Sequence, residues 1–516
     1  MRQRAKESTQ LFVSAFFAEL GTDFCQDFFT FCTTTMKTLL VNITTLLLFS
    51  FILCNAAYSQ GVYIEDALRY GQPNGMITPR AGALGLAYSG IADDYAALYV
   101  NPAGLTMLPL AEFSVSAQFN SYNSTATYFG TTTALNRTSP FLGHIGIALP
   151  VRVGEAGNFT IAFGYSRESD FSGGDSVVGF NTATSLVNSW VAAQNTATLD
   201  GNPAFELKLA DVVNGRFFTP IRSNLQHTVS VRERGVINNL SIGIGFDVLR
   251  NVSVGISFVG TFGEYRYVRV FKESDTQNRY KTLDNRNLTD IDFTRLTSID
   301  ILDHTMSGSR LILGSQVRIG DNARLGASFI LPLDFLILEK SSRANEAVFD
   351  NGEAFFYNPD DPQQQNNRVL LPWGLNIGAS ANISGFTISG SADICNLPAI
   401  RVTGDALDVA AIEQAATNLL KLQIRAGIGA EYEIPNRPFV LRGSYSYVSS
   451  PYVESSLGGA TSIFAAGGGY YLTPNSRLDA TYRLSLKSVN NFLYSGTSYS
   501  SNQALHQIAL QYVVRF

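Results

Sequence analysis

From residue 113 to the C terminus, apolar residues return at every second position. This period marks strands with one apolar and one polar face. In the last segment Ile508, Leu510, Tyr512, Val514 and Phe516 share a face opposite Gln507, Ala509, Gln511 and Arg515. In 239–249, Leu240, Ile242, Ile244, Phe246 and Val248 oppose Ser241, Gly243, Gly245 and Asp247. In 477–486, Leu478, Ala480, Tyr482, Leu484 and Leu486 oppose Arg477, Asp479, Thr481, Arg483 and Ser485. The pattern predicts strands near 113–122, 142–151, 158–166, 239–250, 252–270, 309–319, 323–338, 368–381, 385–395, 420–433, 438–448, 461–472, 476–487 and 505–516. That is about fourteen, an even number as single-chain bacterial barrels have, and many are long enough to cross a bilayer at a tilt.

A soluble β-sandwich also alternates, so the connections decide. Short links, including Arg250-Asn251, Gly320-Asp321-Asn322, Ser384, Pro435-Asn436-Arg437 and Thr473-Pro474-Asn475, carry tight-turn residues. They alternate with long links such as 167–238, 271–308, 339–367 and 396–419. Short periplasmic turns opposite long extracellular loops are the barrel pattern. The expected fold is all-β, a transmembrane antiparallel β-barrel over 113–516 in the cell outer membrane of a Gram-negative bacterium. Phe516 on the apolar face of the last strand resembles the C-terminal signal that barrel-assembly machinery reads, which makes that machinery and outer-membrane lipid expected partners.

Composition agrees. Charged residues are 15%, against about a quarter in soluble domains. Mean hydropathy is only +0.07, too low for a bundle of membrane helices. Gly (44), Tyr (23) and Phe (35) are abundant. The net charge of −5 argues against a nucleic-acid partner.

Met36-Lys37, the apolar stretch Leu39–Leu53 and the small residues Ala57 and Ser59 predict a signal peptide over 36–59, cut before Gln60. Residues 1–35 do not fit such a signal and read as a spurious extension from a start codon placed too far upstream. After cleavage Cys395 is the remaining cysteine, so no disulfide framework is expected.

Residues 60–112 do not read as strands. They contain Arg80-Ala-Gly-Ala-Leu-Gly-Leu-Ala87, Ile91-Ala-Asp-Asp-Tyr-Ala-Ala-Leu-Tyr99 and Asn101-Pro-Ala-Gly-Leu105. Asp93 or Asp94 is expected to cap a short helix over 95–100 that Pro102 ends. The ordered run Ala81-x-x-Leu84-Gly85, Ala92-Asp93-Asp94, Ala97-Leu98-Tyr99 and Asn101-Pro102-Ala103-Gly104-Leu105 resembles the N-terminal hatch of the FadL/TodX family of outer-membrane transporters. The resemblance implies a small helical hatch or plug over 60–112 in the lumen of a fourteen-stranded barrel. It implies uptake of long-chain fatty acids or other small hydrophobic compounds, gated by that hatch, with a kinked strand opening the wall; no kink is locatable in the sequence. Asp93, Asp94, Asn101, Pro102, Ala103 and Gly104 become candidate gating residues. A segment in the lumen makes physical sense, because fourteen strands enclose more space than their own side chains fill. A plain helix stop at 101–104 is the alternative. Family members are usually monomeric, and a monomer is expected.

No catalytic or metal constellation stands out, and no cofactor is expected. The four histidines, His144, His227, His304 and His506, show no metal-ligand spacing. Glycines such as Gly243, Gly245, Gly427, Gly429 and Gly467 lie within strand alternation, where inward Gly makes room for a plug or ligand. Arg477, Asp479 and Arg483, with Glu431 and Glu433, either hold the plug or are solvated lumen charges. Phe171, Phe180, Trp190, Phe355, Phe356, Tyr357, Ile400 and Leu407 could capture apolar ligands or only join the loops to one another. Three rivals stay open: a FadL-like barrel serving secretion or surface docking, an outer-membrane lipid hydrolase using His144 or His506, and a general porin.

Overall fold

The computed structural model describes residues 64–72, 74–153, 157–193, 201–280, 293–359, 363–404, 409–494 and 497–516. The expected leader over 36–59, the stretch 1–35, residues 60–63 and Leu407 lie outside the described residues.

Fourteen antiparallel strands close into a barrel. They are β1 Glu112–Tyr128, β2 Thr131–Val153, β3 Gly157–Asp170 with Gly173–Asn181, β4 Leu225–Leu249, β5 Val252–Ser274, β6 Phe293–Ile319 and β7 Ala323–Ile330 with Leu333–Phe349. The circuit continues with β8 Gln363–Leu371 with Gly374–Ile383, β9 Phe386–Cys395 with Arg401–Gly404, β10 Gln423–Glu433, β11 Phe439–Val448, β12 Gly458–Thr473, β13 Ser476–Tyr494 and β14 Thr497–Arg515. β1 closes on β14 from Glu112↔Arg515 to Thr127↔Ser500. Closure leaves no sheet edge in lipid, where an unpaired amide would cost several kcal/mol.

The alternation lies on the predicted faces. Ile242, Phe246, Phe258, Leu311, Phe329, Leu478, Leu510 and Tyr512 point outward and are exposed, while Ser241, Gln316, Ser328, Asp479 and Gln511 are buried inside. An apolar belt on a closed wall is what a bilayer requires. The chain is an outer-membrane barrel.

All fourteen strands appear where the alternation places them, but the extracellular ends run further. Stretches 123–128 and 131–141, expected as a link, form a hairpin closed by Phe129 (φ 44°) and Gly130 (φ 78°), a two-residue turn with both residues left-handed. Likewise 488–494 and 497–504 are strand. Much of the expected loops 167–238, 271–308 and 339–367 is strand as well. The physical reason is composition: beyond the lipid, outward positions such as Ser121, Asn123, Thr125 and Thr127 carry no apolar contrast. The wall is uneven, with 27 residues in β6 and 10 in β11.

Ile242→Arg, in the belt, is expected to destabilise refolding into lipid vesicles by about 2–4 kcal/mol, and Thr125→Arg, above it, by about 1 kcal/mol or less. Denaturant titrations of the two variants check the contrast.

Candidate functional site

The lumen is filled from the N terminus. Helices α1 (Ile64–Gly71), α2 (Pro79–Leu84) and α3 (Ala97–Val100) precede a 3₁₀ turn, Pro102–Met107. Thr78 caps α2 by accepting from Ala81 N at 3.1 Å, with Pro79 at the first position. The helix expected over 95–100 is shorter, starting at Ala97; Asp94 instead closes a turn by accepting from Ala96 N at 2.8 Å. Pro102 both follows the end of α3 and opens the next turn, which Asn101 caps through Ala103 N at 3.3 Å.

Close approach to the wall depends on glycine. A Cβ at Gly146 would overlap Tyr95; at Gly243, Leu98; at Gly255, the Pro102–Ala103 backbone; at Gly326, Ser89 and Asn101; at Gly427, Leu86 and Ala87; at Gly467, Ala83. The wall's inward hydroxyls and amides then take up the segment's backbone groups. Thr481 Oγ1 donates to Pro79 O (2.6 Å), Ser328 Oγ to Val100 O (2.6 Å), Ser380 Oγ and Gln316 Nε2 to Gly90 O (2.9 and 3.1 Å). Asn101 is fully buried and donates to Ser315 O at 3.0 Å and Ser89 O at 3.3 Å. Ala103 and Gly104 are buried beside it.

A chain of alternating charges ties the segment to the wall. Arg324 meets Asp93 (3.0 Å), Asp93 meets Arg80, and Arg80 forks onto Glu431 at 2.8 and 2.9 Å. Arg442 then joins Glu431 (2.5 Å) to Asp479 (2.6 Å), and Arg477 ends the chain on Asp479 at 2.9 Å. Arg477, Asp479 and Glu431 are thus brought together through Arg80 and Arg442, neither of which the sequence places among the lumen charges. Arg483 is not in the chain: it donates to Gln507 Oε1 (2.7 Å) and to the backbone of Asn74 and Gly75. Glu433 is exposed at the end of β10, away from the chain.

The neighbouring aspartates titrate in opposite directions. Burial pushes the Asp93 carboxyl up, but the Arg80 and Arg324 guanidiniums outweigh it and hold it below the usual range. Burial raises the Asp94 carboxyl, with Thr78 Oγ1 donating to it at 2.9 Å. Asp93 therefore contributes stability that is present above the ordinary carboxylate range and lost on acidification, whereas protonating Asp94 favours the folded state.

Above this layer the lumen becomes apolar. Ile237, Tyr265, Met306, Phe335, Ile337, Val369 and Val402 face inward around Ile64, Ala67, Leu68 and Tyr70 of α1. Tyr70 OH meets His304 Nδ1, and Phe171 and Ile400 complete this apolar cluster, a chamber that α1 fills. A second apolar cluster closes the mouth. The β3–β4 connection lays Leu186, Val187, Leu207, Leu209 and Ile221 on Val229, Phe271, Phe349 and Tyr499, with Trp190, Phe355 and Tyr357 at its margin. Glu273, paired with His227 at 3.0 Å, accepts from Leu186 N at the start of the helix Leu186–Ala193. Phe180 lies on β3, and Phe356 is exposed.

The seam between β2 and β3 is irregular. β2 and β3 pair from Val153↔Gly157 to His144↔Ser166 and no further. A bulge between Arg167 and Ser169 then turns β3 inward, where Gly173–Asn181 pairs with β4 behind the β1–β2 hairpin. The departure lies inside the belt, since Ser166 is level with His144 and Ser116, and exposed Phe119 is three residues farther out. Asn74 covers the inner side: Nδ2 donates to Asp170 O (2.8 Å), Oδ1 accepts from Asp170 N (3.0 Å), and Gly75 N donates to Glu168 O (2.8 Å).

Both histidines considered for catalysis are engaged by neighbouring side chains. His144 lies between Ser114 Oγ (3.0 Å) and Ser116 Oγ (2.6 Å), but it is fully buried beneath the stacked ring of Tyr95. His506 bonds to the outward Tyr482 hydroxyl at 2.8 Å.

No family model and no curated protein matches this sequence. Solved structures do match its fold. The toluene transporter TodX of P. putida is similar over 86% of this chain and 99% of its own, with 14% identity and a TM-score of 0.52. A FadL homologue from Pseudomonas aeruginosa is similar over 85% and 98%, with 10% identity and a TM-score of 0.51. The chain has the FadL-type channel fold. The register shift in β3 between Arg167 and Ser169 is signalled in the sequence only by the nearby Gly173-Gly174. The Tyr70–His304 contact, the lid and the Asn74 bridge had no signal in the sequence.

Two outcomes are expected. Asp93→Asn takes from Arg324 its carboxylate and leaves Arg80 with Glu431 alone, and should cost about 2–3 kcal/mol, whereas Asp94→Asn, replacing a carboxyl whose ionisation burial opposes, should cost about 1 kcal/mol or less; thermal unfolding in detergent compares them. Gly255→Val should expel the N-terminal segment while the wall stays folded, read as rapid protease cleavage within 64–111 of a barrel that keeps its heat-modifiable gel mobility.

Proposed function

We propose that this barrel carries small hydrophobic molecules across the outer membrane, from the extracellular mouth through the apolar chamber and out sideways between β2 and β3. The observation that carries the reading is the seam: the wall ladder ends at Ser166, within the lipid belt, and five residues on Phe171 packs against the apolar cluster around α1. An apolar solute leaving there enters hydrocarbon without crossing water, the favourable direction for nonpolar surface. The N-terminal segment acts as a hatch, with Asn101, Pro102, Ala103 and Gly104 holding its lower part on the wall and Asp93 within the charge chain. Asn74 and Gly75 cover the seam. The similar fold of TodX, a toluene transporter, supports this reading. The chamber takes a molecule by apolar contact, so the class, long-chain fatty acid or hydrocarbon, is set by shape.

The test is mass spectrometry of lipophilic molecules retained by the purified barrel, with uptake and conductance measured for wild type and Asn101→Ala. A retained fatty acid or hydrocarbon, with increased ion leakage and altered uptake in the variant, is expected, because the substitution removes buried bonds worth about 1–3 kcal/mol. An empty barrel with a stable protein partner, indifferent to Asn101→Ala, would replace transport by the docking or secretion role.

A further inference from the structure

The outward wall above the belt is electrically lopsided. On β13, β14 and β1 the outward positions there are residues such as Ser488, Asn490, Asn502, Ser500 and Thr125. On β4–β7 the register instead brings charges into one row: Arg234↔Arg266, Arg266↔Asp303 and Asp303↔Lys340. The row stands four residues beyond Phe262 and Leu336, large outward apolar residues that are 43% and 53% exposed. At about 3.3 Å per residue, less the strand tilt, that is about 10 Å above them. Arg232 projects from the next outward position of β4. Asp303 is engaged by Arg266 at 3.2 Å, and among the described residues no acidic side chain pairs with Arg232, Arg234 or Lys340.

We propose that this row binds the phosphates of an outer-leaflet glycolipid of the lipid A type. The height is that of a headgroup whose acyl chains lie on Phe258, Phe262 and Leu336, and the surface faces the membrane plane rather than the lumen. Neighbouring strands are about 4.8 Å apart, so Arg234, Arg266 and Lys340 span about 15 Å, which suits a disaccharide phosphorylated at both ends. Arg offers forked donors to phosphate, and Lys a point charge. Against these cations stand Glu264 and Asp303, which leaves the patch positive.

Binding of fluorescent diphosphoryl lipid A to the detergent-purified full barrel tests the assignment. The triple variant R234Q/R266Q/K340Q should bind at least tenfold more weakly, and wild-type affinity should fall as salt rises. R216Q/K421Q, which neutralises exposed extracellular charges elsewhere, should bind as wild type does. Heat-modifiable mobility establishes that each variant is folded. Unchanged binding by the folded triple variant would overturn the proposal, as would equal loss in the control or equal competition by phosphatidylglycerol micelles.

Discussion

Backbone hydrogen bonding in a medium without water is the constraint on which the rest depends. Lipid forbids an open edge, so the sheet closes; fourteen strands then enclose a lumen their own side chains do not fill. The N-terminal segment answers that second problem and raises a third, since its short helices and turns bring unpaired amides and carbonyls into a closed space. Inward serines, threonines and glutamines take them up, and inward glycines let the two backbones come close enough to do so.

The same rule makes the β2–β3 seam informative. A strand that leaves its neighbour inside the belt abandons ladder bonds, and the molecule compensates from within. Asn74 supplies both an acceptor and a donor to Asp170, imitating the edge of an adjacent strand. The substitute is two residues long and belongs to a segment tied elsewhere by side chains, so it is far easier to withdraw than a wall strand. An interrupted ladder and the segment that covers it thus arise from one local departure from regular pairing.

Much of this was legible because lipid imposes contrast. Strands such as β4, β13 and β14 announce themselves where outward Ile242, Leu478 or Leu510 alternate with small or polar neighbours. The contrast fades at Asn123 or Ser500, where the outward face meets water rather than lipid, and so the tall hairpins looked like loops. Arg477 and Asp479 were visible as charges on an inward face, but the other links of the chain, Arg442 and Arg80, are fixed by register and by the path of the segment, which no local pattern encodes. The inward turn of β3 left only Gly173-Gly174 as a trace. The Asn74 bridge left none, since Asn-Gly is an ordinary turn pair.

The glycine contacts bear on assembly. Gly146 of β2, Gly255 of β5, Gly326 of β7, Gly427 of β10 and Gly467 of β12 all rest on residues 83–103. A closed cylinder offers no way to thread so tightly fitted a segment into place afterwards. The segment is therefore best seated while the cylinder is still open, before the β1–β14 joint, the pairing most distant in sequence, closes.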